Sequence, residues 1–247
     1  MKIEILFPEI CNLYGELENV SYLRKSCDEA EIIETSVNSV PYFVNEEPDL
    51  IYMGTMTEKM QLLVIEKLRP YIGRIRELID RGVHFLITGN ALEVFGRYIE
   101  DADGYRTECL GMIDIMTKRD MSTRFNSLYL GTFSDDDPQL SDSMKIAGFK
   151  SQFTHSYWED DAEELPLFIT ERGPGLNPQI KGEGIRKNRF MATYVIGPVL
   201  ILNPPFARYI FRICGDDNPQ LAFEETAMKA YDVRVAEYSD PGTGFYY

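Results

Sequence analysis

Residues 83–96 have the pattern of a strand, a tight turn and a helix, the local structure that presents the nucleophile in many α/β hydrolytic enzymes. An apolar run ends in Thr88-Gly89-Asn90, and apolar residues at helical spacing follow. At such a turn, here the elbow (residues 88–90), a Ser or Cys lies beside a helix N-terminus, where N–H donors and a lowered thiol pKa favour acyl transfer. This elbow contains neither Ser nor Cys, so the usual nucleophile is missing.

Two other residues carry groups that could replace the nucleophile. Thr88 has a hydroxyl next to the elbow tip, but a Thr at the end of a buried strand more often bonds a local backbone group. Cys109 directly precedes Leu110-Gly111, and we expect a structural thiol there. Both residues are therefore expected to be structural, and a nucleophilic Thr88 stays open as an alternative.

The two histidines and the acidic runs are the remaining candidate bases and metal ligands. His84 alternates with apolar neighbours on the elbow strand, which favours a core or sheet-face position. His155 precedes an acidic segment and is expected in an exposed loop, where carboxylates would raise its pKa. The acidic runs at residues 135–137 and 159–161 are more typical of solvated loops than of cation sites. We therefore expect no metal and no cofactor.

Strand and helix patterns alternate through the first hundred residues, which predicts a parallel sheet with right-handed crossovers. Strands are expected at residues 3–7, 31–35 and 49–54. A long amphipathic helical region is expected at residues 57–81, kinked or broken at Pro70. The elbow strand follows this helical region directly.

After Gly96 the pattern changes to short strands separated by polar or glycine turns, which is typical of an antiparallel extension. These strands are expected at residues 112–118, 125–132, 143–154 and 165–171, and a further strand, closed by Gly197-Pro198, is expected at residues 190–196. Helices are expected at residues 205–214 and about 220–237, followed by a loose tail at residues 238–247. The predicted fold is α/β, a mostly parallel sheet flanked by helices with a small antiparallel β extension, in one domain spanning residues 1–247.

The charge balance disfavours polyanionic partners. The 40 acidic and 25 basic residues give a formal net charge of −15, which repels phosphate backbones and anionic lipid, so we expect no nucleic acid and no membrane insertion. The four cysteines are far apart and form no CxxC pair, which argues against a disulfide framework or a zinc site. No stretch approaches the roughly 18 apolar residues that span a bilayer, and the chain opens on a strand pattern. We therefore expect a cytoplasmic protein.

Four separated segments occur in a familiar order. They lie at residues 7–15, with the pattern P-x-x-x-N-x-Y-G, and at residues 49–54, 78–98 and 182–204. Together they resemble the class I (triad-type) glutamine amidotransferases of the cobyric acid synthase-like group, and within it the glutaminase subunits of lipid II isoglutaminyl synthases. The resemblance implies a flavodoxin-like three-layer fold, glutamine hydrolysis, and a Mur-ligase-like, ATP-dependent partner in cell-wall biosynthesis.

The chain departs from this family at the positions that do the chemistry. The family's elbow begins with the catalytic Cys, and counting back from Gly96 places Gly89 at that position. The family's catalytic His lies in T-Y-L-H-G-P, where this chain has Ile196. The loop that supplies oxyanion donors in the family reads Gly54-Thr55-Met56-Thr57 here, without consecutive glycines. Because this route needs a thiolate and an imidazole, the resemblance with these substitutions predicts that glutaminase activity is lost.

We therefore expect a non-catalytic, glutamine amidotransferase-like subunit that binds a Mur-ligase-like protein or a small amino-acid ligand. Asn90 and Tyr194 are expected to be exposed on the face around the elbow. Two alternatives stay open: a hydrolase or amidotransferase that uses a non-standard nucleophile in the same pocket, and an amino-acid or peptide binding module. The candidate ligand-binding residues are Gly54, Thr55, Thr88, Asn90, Glu93 and Tyr194.

Overall fold

The structure is a computed structural model that describes residues 1–27, 29–133, 143–159 and 164–246. Its strands are β1 (Lys2–Leu6), β2 (Glu31–Thr35), β3 (Leu50–Met53), β4 (His84–Thr88), β5 (Tyr98–Asp101), β6 (Arg106–Glu108), β7 (Ile115–Arg119), β8 (Phe125–Phe133), β9 (Met144–Gln152), β10 (Thr154–Trp158), β11 (Phe168–Arg172), β12 (Gly182–Glu183), β13 (Ile185–Lys187) and β14 (Phe190–Thr193). Its α-helices are α1 (Leu17–Ser26), α2 (Glu58–Leu68), α3 (Ile72–Arg81), α4 (Ala91–Val94), α5 (Val199–Leu202), α6 (Pro204–Ile213) and α7 (Glu224–Ser239). Short 3-10 helices lie at Leu13–Gly15, Tyr42–Val44 and Arg69–Tyr71.

The central sheet of the described residues has six strands in the order β13-β14-β4-β3-β1-β2. β13 is antiparallel to β14, and the other neighbouring pairs are parallel. β3 and β4 are buried along their whole length, as expected for inner strands of a parallel sheet covered on both faces. The register of β4 with β14 places Thr193 beside Thr88. The elbow and the segment after β14 therefore meet at the same edge of the sheet.

Helices cover both faces of this sheet. Phe85 of β4 belongs to a core that it shares with α2, α3 and α4, including Leu78 of α3. Leu86, the next residue of β4, faces a second core that includes residues of α1 and α6 such as Leu23 and Phe206. Alternate residues of one strand therefore serve two cores, and the predicted α/β fold with helices on both faces is confirmed.

The helical region before the elbow strand is interrupted at Pro70, as predicted. α2 ends at Leu68, Pro70 lies in the 3-10 turn Arg69–Tyr71, and α3 begins directly after that turn. Proline lacks the N–H that would continue the helical ladder. α3 ends at Gly82, whose φ of +81° gives the left-handed cap that lets its N–H bond the carbonyl of Ile79. This cap reverses the chain into β4.

Two four-stranded sheets form the extension, which is larger than the small one predicted. One sheet has the order β10-β7-β5-β6, with β5 parallel to β7 and the other pairs antiparallel. The other sheet, β12-β11-β8-β9, is antiparallel. The sequence did not predict β5 or β6, because these short strands read YIED and RTE and have no run of alternating apolar residues. Tertiary pairing decides their conformation.

The prediction for His155 is wrong. This residue lies in the middle of β10, paired with Lys118 of β7, and is half-buried rather than exposed in a loop. Burial lowers its pKa, and the nearby charge of Lys150 lowers it further. The acidic residues that follow lie largely outside the described residues, as does the run at residues 135–137.

The prediction of a loose tail after residue 237 is also wrong. α7 continues to Ser239, and Phe245 beyond it is buried. The carbonyl of Phe245 accepts a hydrogen bond from the N–H of Leu128 at 2.8 Å, and Tyr246 forms an antiparallel bridge with Ser127. The tail is therefore held against β8 by a long-range pairing that has no local signal in the sequence.

Candidate functional site

The elbow joins β4 to the short helix α4 at the carboxyl edge of the central sheet. β4 ends at Thr88, and Gly89 follows with a φ of +64°, in the left-handed region that favours glycine. A β-carbon built on Gly89 would lie 3.1 Å from Cγ2 of Ile196. The structure thus brings together the two positions to which the sequence resemblance assigns the nucleophile and the base.

The space that a side chain at Gly89 would need is already filled. A β-carbon at Gly89 would lie 2.4 Å from Cβ and 2.7 Å from Oγ1 of Thr55. Such distances are far inside van der Waals contact, so a cysteine at this position would require Thr55 to move. Thr55 is itself buried, at the loop that follows β3.

Asn90 holds the loop of Thr55 against the elbow. Its Oδ1 accepts hydrogen bonds from Oγ1 of Thr55 at 2.8 Å and from the N–H of Met56 at 3.0 Å. Its Nδ2 donates to the carbonyl of Met56 at 2.8 Å. Both polar atoms of this half-buried side chain are used within the protein, so Asn90 acts as a clamp between the elbow and the loop.

A buried carboxylate lies on the other side of Thr88. Glu16 accepts hydrogen bonds from the hydroxyl of Thr88, from the hydroxyl of Tyr52 at 3.0 Å and from the N–H of Gly197 at 3.3 Å. Its burial raises its pKa above the ordinary value. Thr88 is also fully buried. Its hydroxyl therefore connects the elbow strand to Glu16 and does not face a substrate.

A second buried carboxylate belongs to Glu93 of α4, the short helix that follows the elbow. It accepts hydrogen bonds from the hydroxyls of Thr154 at 2.5 Å and Tyr194 at 3.0 Å, and from Nε2 of Gln61 at 2.8 Å. Burial raises the pKa of Glu93. Tyr194 is only 2% exposed. The expectation that Tyr194 lies on an exposed face is therefore wrong, because its hydroxyl anchors the interior of the protein.

Gly54 also has a structural reason to be glycine. A β-carbon there would lie 2.9 Å from the carbonyl oxygen of Cys11 and 3.0 Å from Cβ of Glu16.

Of the six predicted ligand-binding residues, Thr55 and Asn90 meet directly at Gly89, whereas the others support the site from within. Glu16, Tyr52 and Gln61 were missed by sequence reasoning, although Glu16 directly follows the Tyr14-Gly15 pair of the first resembling segment.

The side of the site near Ile196 is covered by the extension. Phe149 of β9 exchanges two backbone hydrogen bonds with Ile196, with N to O distances of 2.9 and 3.3 Å. Gly197, with a φ of +90°, lies so close that a β-carbon there would be 2.3 Å from the ring of Phe149. The backbone around Ile196 is thus fixed by pairing with β9.

The other candidate groups are not arranged for catalysis. Burial, with the charge of Glu93 nearby, raises the pKa of the Cys109 thiol to about 12, so this thiol is protonated at neutral pH. His84 is buried on β4, with its Nε2 3.1 Å from a guanidinium nitrogen of Arg189. All four cysteines are free thiols. In the described ranges no group of three or more His, Cys, Asp or Glu residues is placed to hold a metal ion.

Solved structures define the class of fold. A chain in the structure of PurLQS from Thermotoga maritima aligns with a TM-score of 0.58 at 9% identity, covering 86% of this chain and 96% of that chain. A glutamine amidotransferase from Thermotoga maritima aligns with a TM-score of 0.53 at 11% identity, covering 96% of this chain and 94% of that one. At these identities the likeness concerns the fold alone, which is that of a glutamine amidotransferase.

Sequence comparison then gives the family. The CobB/CobQ-like glutamine amidotransferase domain matches residues 2–202, so the chain belongs to this family. It is similar to the GatD subunit of lipid II isoglutaminyl synthase (glutamine-hydrolyzing) from Staphylococcus aureus, with 23% identity over 202 residues, 81% of this chain and 78% of the relative. The GatD subunit from Streptococcus pneumoniae is 24% identical over 248 residues, 97% of this chain and 91% of the relative. The resemblance stated from the sequence is confirmed.

Within the described segments, no α-helix combines the length and the apolar composition that a membrane span requires.

Proposed function

We propose that this chain is a glutamine amidotransferase-like subunit that has lost glutaminase activity and acts by binding a Mur-ligase-like partner. One observation carries the proposal. The resemblance assigns the nucleophile to Gly89 and the base to Ile196, these two residues lie together in the structure, and the side chain of Thr55 fills the space that a side chain at position 89 would need.

The chemistry of glutamine hydrolysis explains why this arrangement is inactive. A thiolate must attack the side-chain amide, and an imidazole must protonate the departing ammonia. Glycine and isoleucine supply neither group. The nearest hydroxyl on the elbow strand, that of Thr88, is buried and donates to Glu16. The alternative of an enzyme with Thr88 as nucleophile therefore has no exposed nucleophile to support it.

The proposed Mur-ligase-like partner is inferred from the two similar GatD proteins. Both GatD proteins are named as subunits of lipid II isoglutaminyl synthase, and we propose a corresponding role in cell-wall biosynthesis, in the cytoplasm, for this chain as one domain of 247 residues. The alternative of an amino-acid binding module is less well supported, because the polar atoms of Asn90 and Glu93 already bond protein groups.

Two measurements test this proposal. The purified chain is incubated with glutamine and with a glutamine-like diazo-ketone, and ammonia release and covalent labelling are measured beside a cysteine-containing glutaminase of the same family. We expect background ammonia and no labelled elbow residue. Mixing with the purified Mur-ligase-like protein of the source organism should give a complex in sedimentation velocity. Stoichiometric labelling at the elbow would overturn the proposal that glutaminase activity is lost. The absence of a complex would overturn the proposed partner.

A further inference from the structure

A surface groove near the elbow shares no lining residue with the site described above. It has a volume of about 510 Å³ and lies between the first turns of α2 and the segments that follow β5 and β7. Gln61 of α2 donates to the carbonyl of Asn90 and to Glu93, and the next residue, Leu62, lines the groove. One helix, α2, thus contacts the elbow region through Gln61 and lines the groove through Leu62.

The groove exposes two large apolar side chains. Leu62 is 43% exposed and Met121 is 52% exposed, and Ala102 lies between the polar residues that line the same groove. A single exposed apolar side chain is ordinary on a protein surface, whereas several in one concave site indicate a binding surface. Methionine is flexible and polarizable, and it is frequent on surfaces that bind partner chains.

The charges around these apolar residues define what can bind. Glu58, Asp103 and Asp120 line the groove. The charge of Glu58 acts on Arg119, whereas among the described residues Asp103 and Asp120 have no ion-pair partner. Arg119 also lines it, but its guanidinium is paired with Asp101 at 2.6 Å. Lys59 remains as a cation of the rim, so the unpaired groups carry a net negative charge. Such a groove favours a basic partner and disfavours phosphate and carboxylate ligands.

We propose that this groove binds a segment of the partner protein in which one large apolar side chain is flanked by lysine or arginine. The apolar side chain would lie against Leu62 and Met121, and the cations would face the unpaired carboxylates. This inference rests on the proposed function, because the segment belongs to the Mur-ligase-like partner. It identifies the face of this chain that makes the contact.

The test uses the full chain and the purified Mur-ligase-like protein of the source organism. The dissociation constant is measured for the wild type, for the double variant Leu62→Ser/Met121→Ser and for Val233→Ser. Val233 is a matched control, because it is an aliphatic residue of helix α7 that is 68% exposed. We expect the double variant to bind at least about tenfold more weakly, as for a central apolar contact, and the control to bind like the wild type. Melting temperatures within about 3 °C would show that all variants are folded.

A second variant tests the charges. Asp103→Lys/Asp120→Lys should also weaken binding, and raising the salt concentration should weaken wild-type binding more than that of this variant. If the wild type binds and both groove variants bind equally well, the groove assignment is wrong while the proposed function stands. If the wild type does not bind the Mur-ligase-like protein, the proposed partner is wrong and the groove assignment falls with it.

Discussion

Thr55 occupies the space beside Gly89 that the β-carbon of a nucleophile would need, with a separation of 2.4 Å between Cβ of Thr55 and a β-carbon built on Gly89. A cysteine side chain at position 89 would therefore require Thr55 to move. The loop after β3 is packed onto the elbow, and Asn90 clamps it there through Thr55 and Met56.

This contact predicts that Gly89→Ala is more destabilising than a glycine replacement of similar backbone strain. Gly104 has a φ of +85° and no atom within 4 Å of a β-carbon, so Gly104→Ala reports the strain alone. Gly89→Ala adds overpacking against Thr55, which costs about 1–3 kcal/mol. Urea unfolding should show this difference. In a double-mutant cycle, Thr55→Gly should reduce the cost of Gly89→Ala. Additive effects of the two substitutions would contradict the contact between Thr55 and position 89.

The clamp predicts a local effect of Asn90→Ala. This variant leaves the N–H and carbonyl of Met56 without their partner, which costs about 1–3 kcal/mol for buried polar groups. Hydrogen exchange at Met56 should accelerate, because the loop is no longer tied to the elbow. Asn38→Ala is the control, since among the described residues its Oδ1 accepts a single long contact, 3.5 Å from Nζ of Lys67. Unchanged exchange at Met56 in Asn90→Ala would show that Asn90 does not hold the loop.

The buried carboxyl of Glu93 predicts a loss of stability at rising pH. Burial raises its pKa in the folded protein above that of the unfolded chain. The unfolded chain therefore releases its proton first, so this contribution to stability is present at low pH and is lost as the pH rises from about 4 through the raised pKa. Glu93→Gln should flatten this part of the plot of unfolding free energy against pH. Glu66→Gln, at an exposed site of α2, should not. If the slope of unfolding free energy against pH is unchanged in Glu93→Gln, Glu93 is not its source. Glu16, whose pKa is also raised, is then the next group to test.

The buried imidazole of His84 should have the opposite effect, a loss of folding stability as the pH falls. Burial, and next the charge of Arg189, lower its pKa to about 4. Below the unfolded value of about 6.5 the unfolded chain binds the proton first, so stability falls between pH 6.5 and 4, by roughly 3 kcal/mol in all. The NMR titration of the imidazole should give the low pKa, and Arg189→Gln should raise it only in part because burial remains. A midpoint near 6.5 would contradict the buried environment.

Much of the fold could be predicted from the sequence, because it depends on local patterns. The apolar runs of β3 and β4, the break at Pro70 and the strand-turn-helix at residues 83–96 follow from periodicity and turn chemistry. The short polar strands β5 and β6 and the tail at residues 240–246 were missed, since their conformations depend on pairing with distant segments.

The composition of the elbow, with glycine at position 89 and no cysteine or serine, is a property of the sequence alone. The tertiary structure decided what that glycine means. Only the folded chain brings Thr55 and Ile196 against Gly89, turns Tyr194 inward to Glu93, and places Glu16 under Thr88. These contacts join segments far apart in the chain, and no local pattern specifies which distant side chain fills a given space, because that depends on close packing of the whole interior.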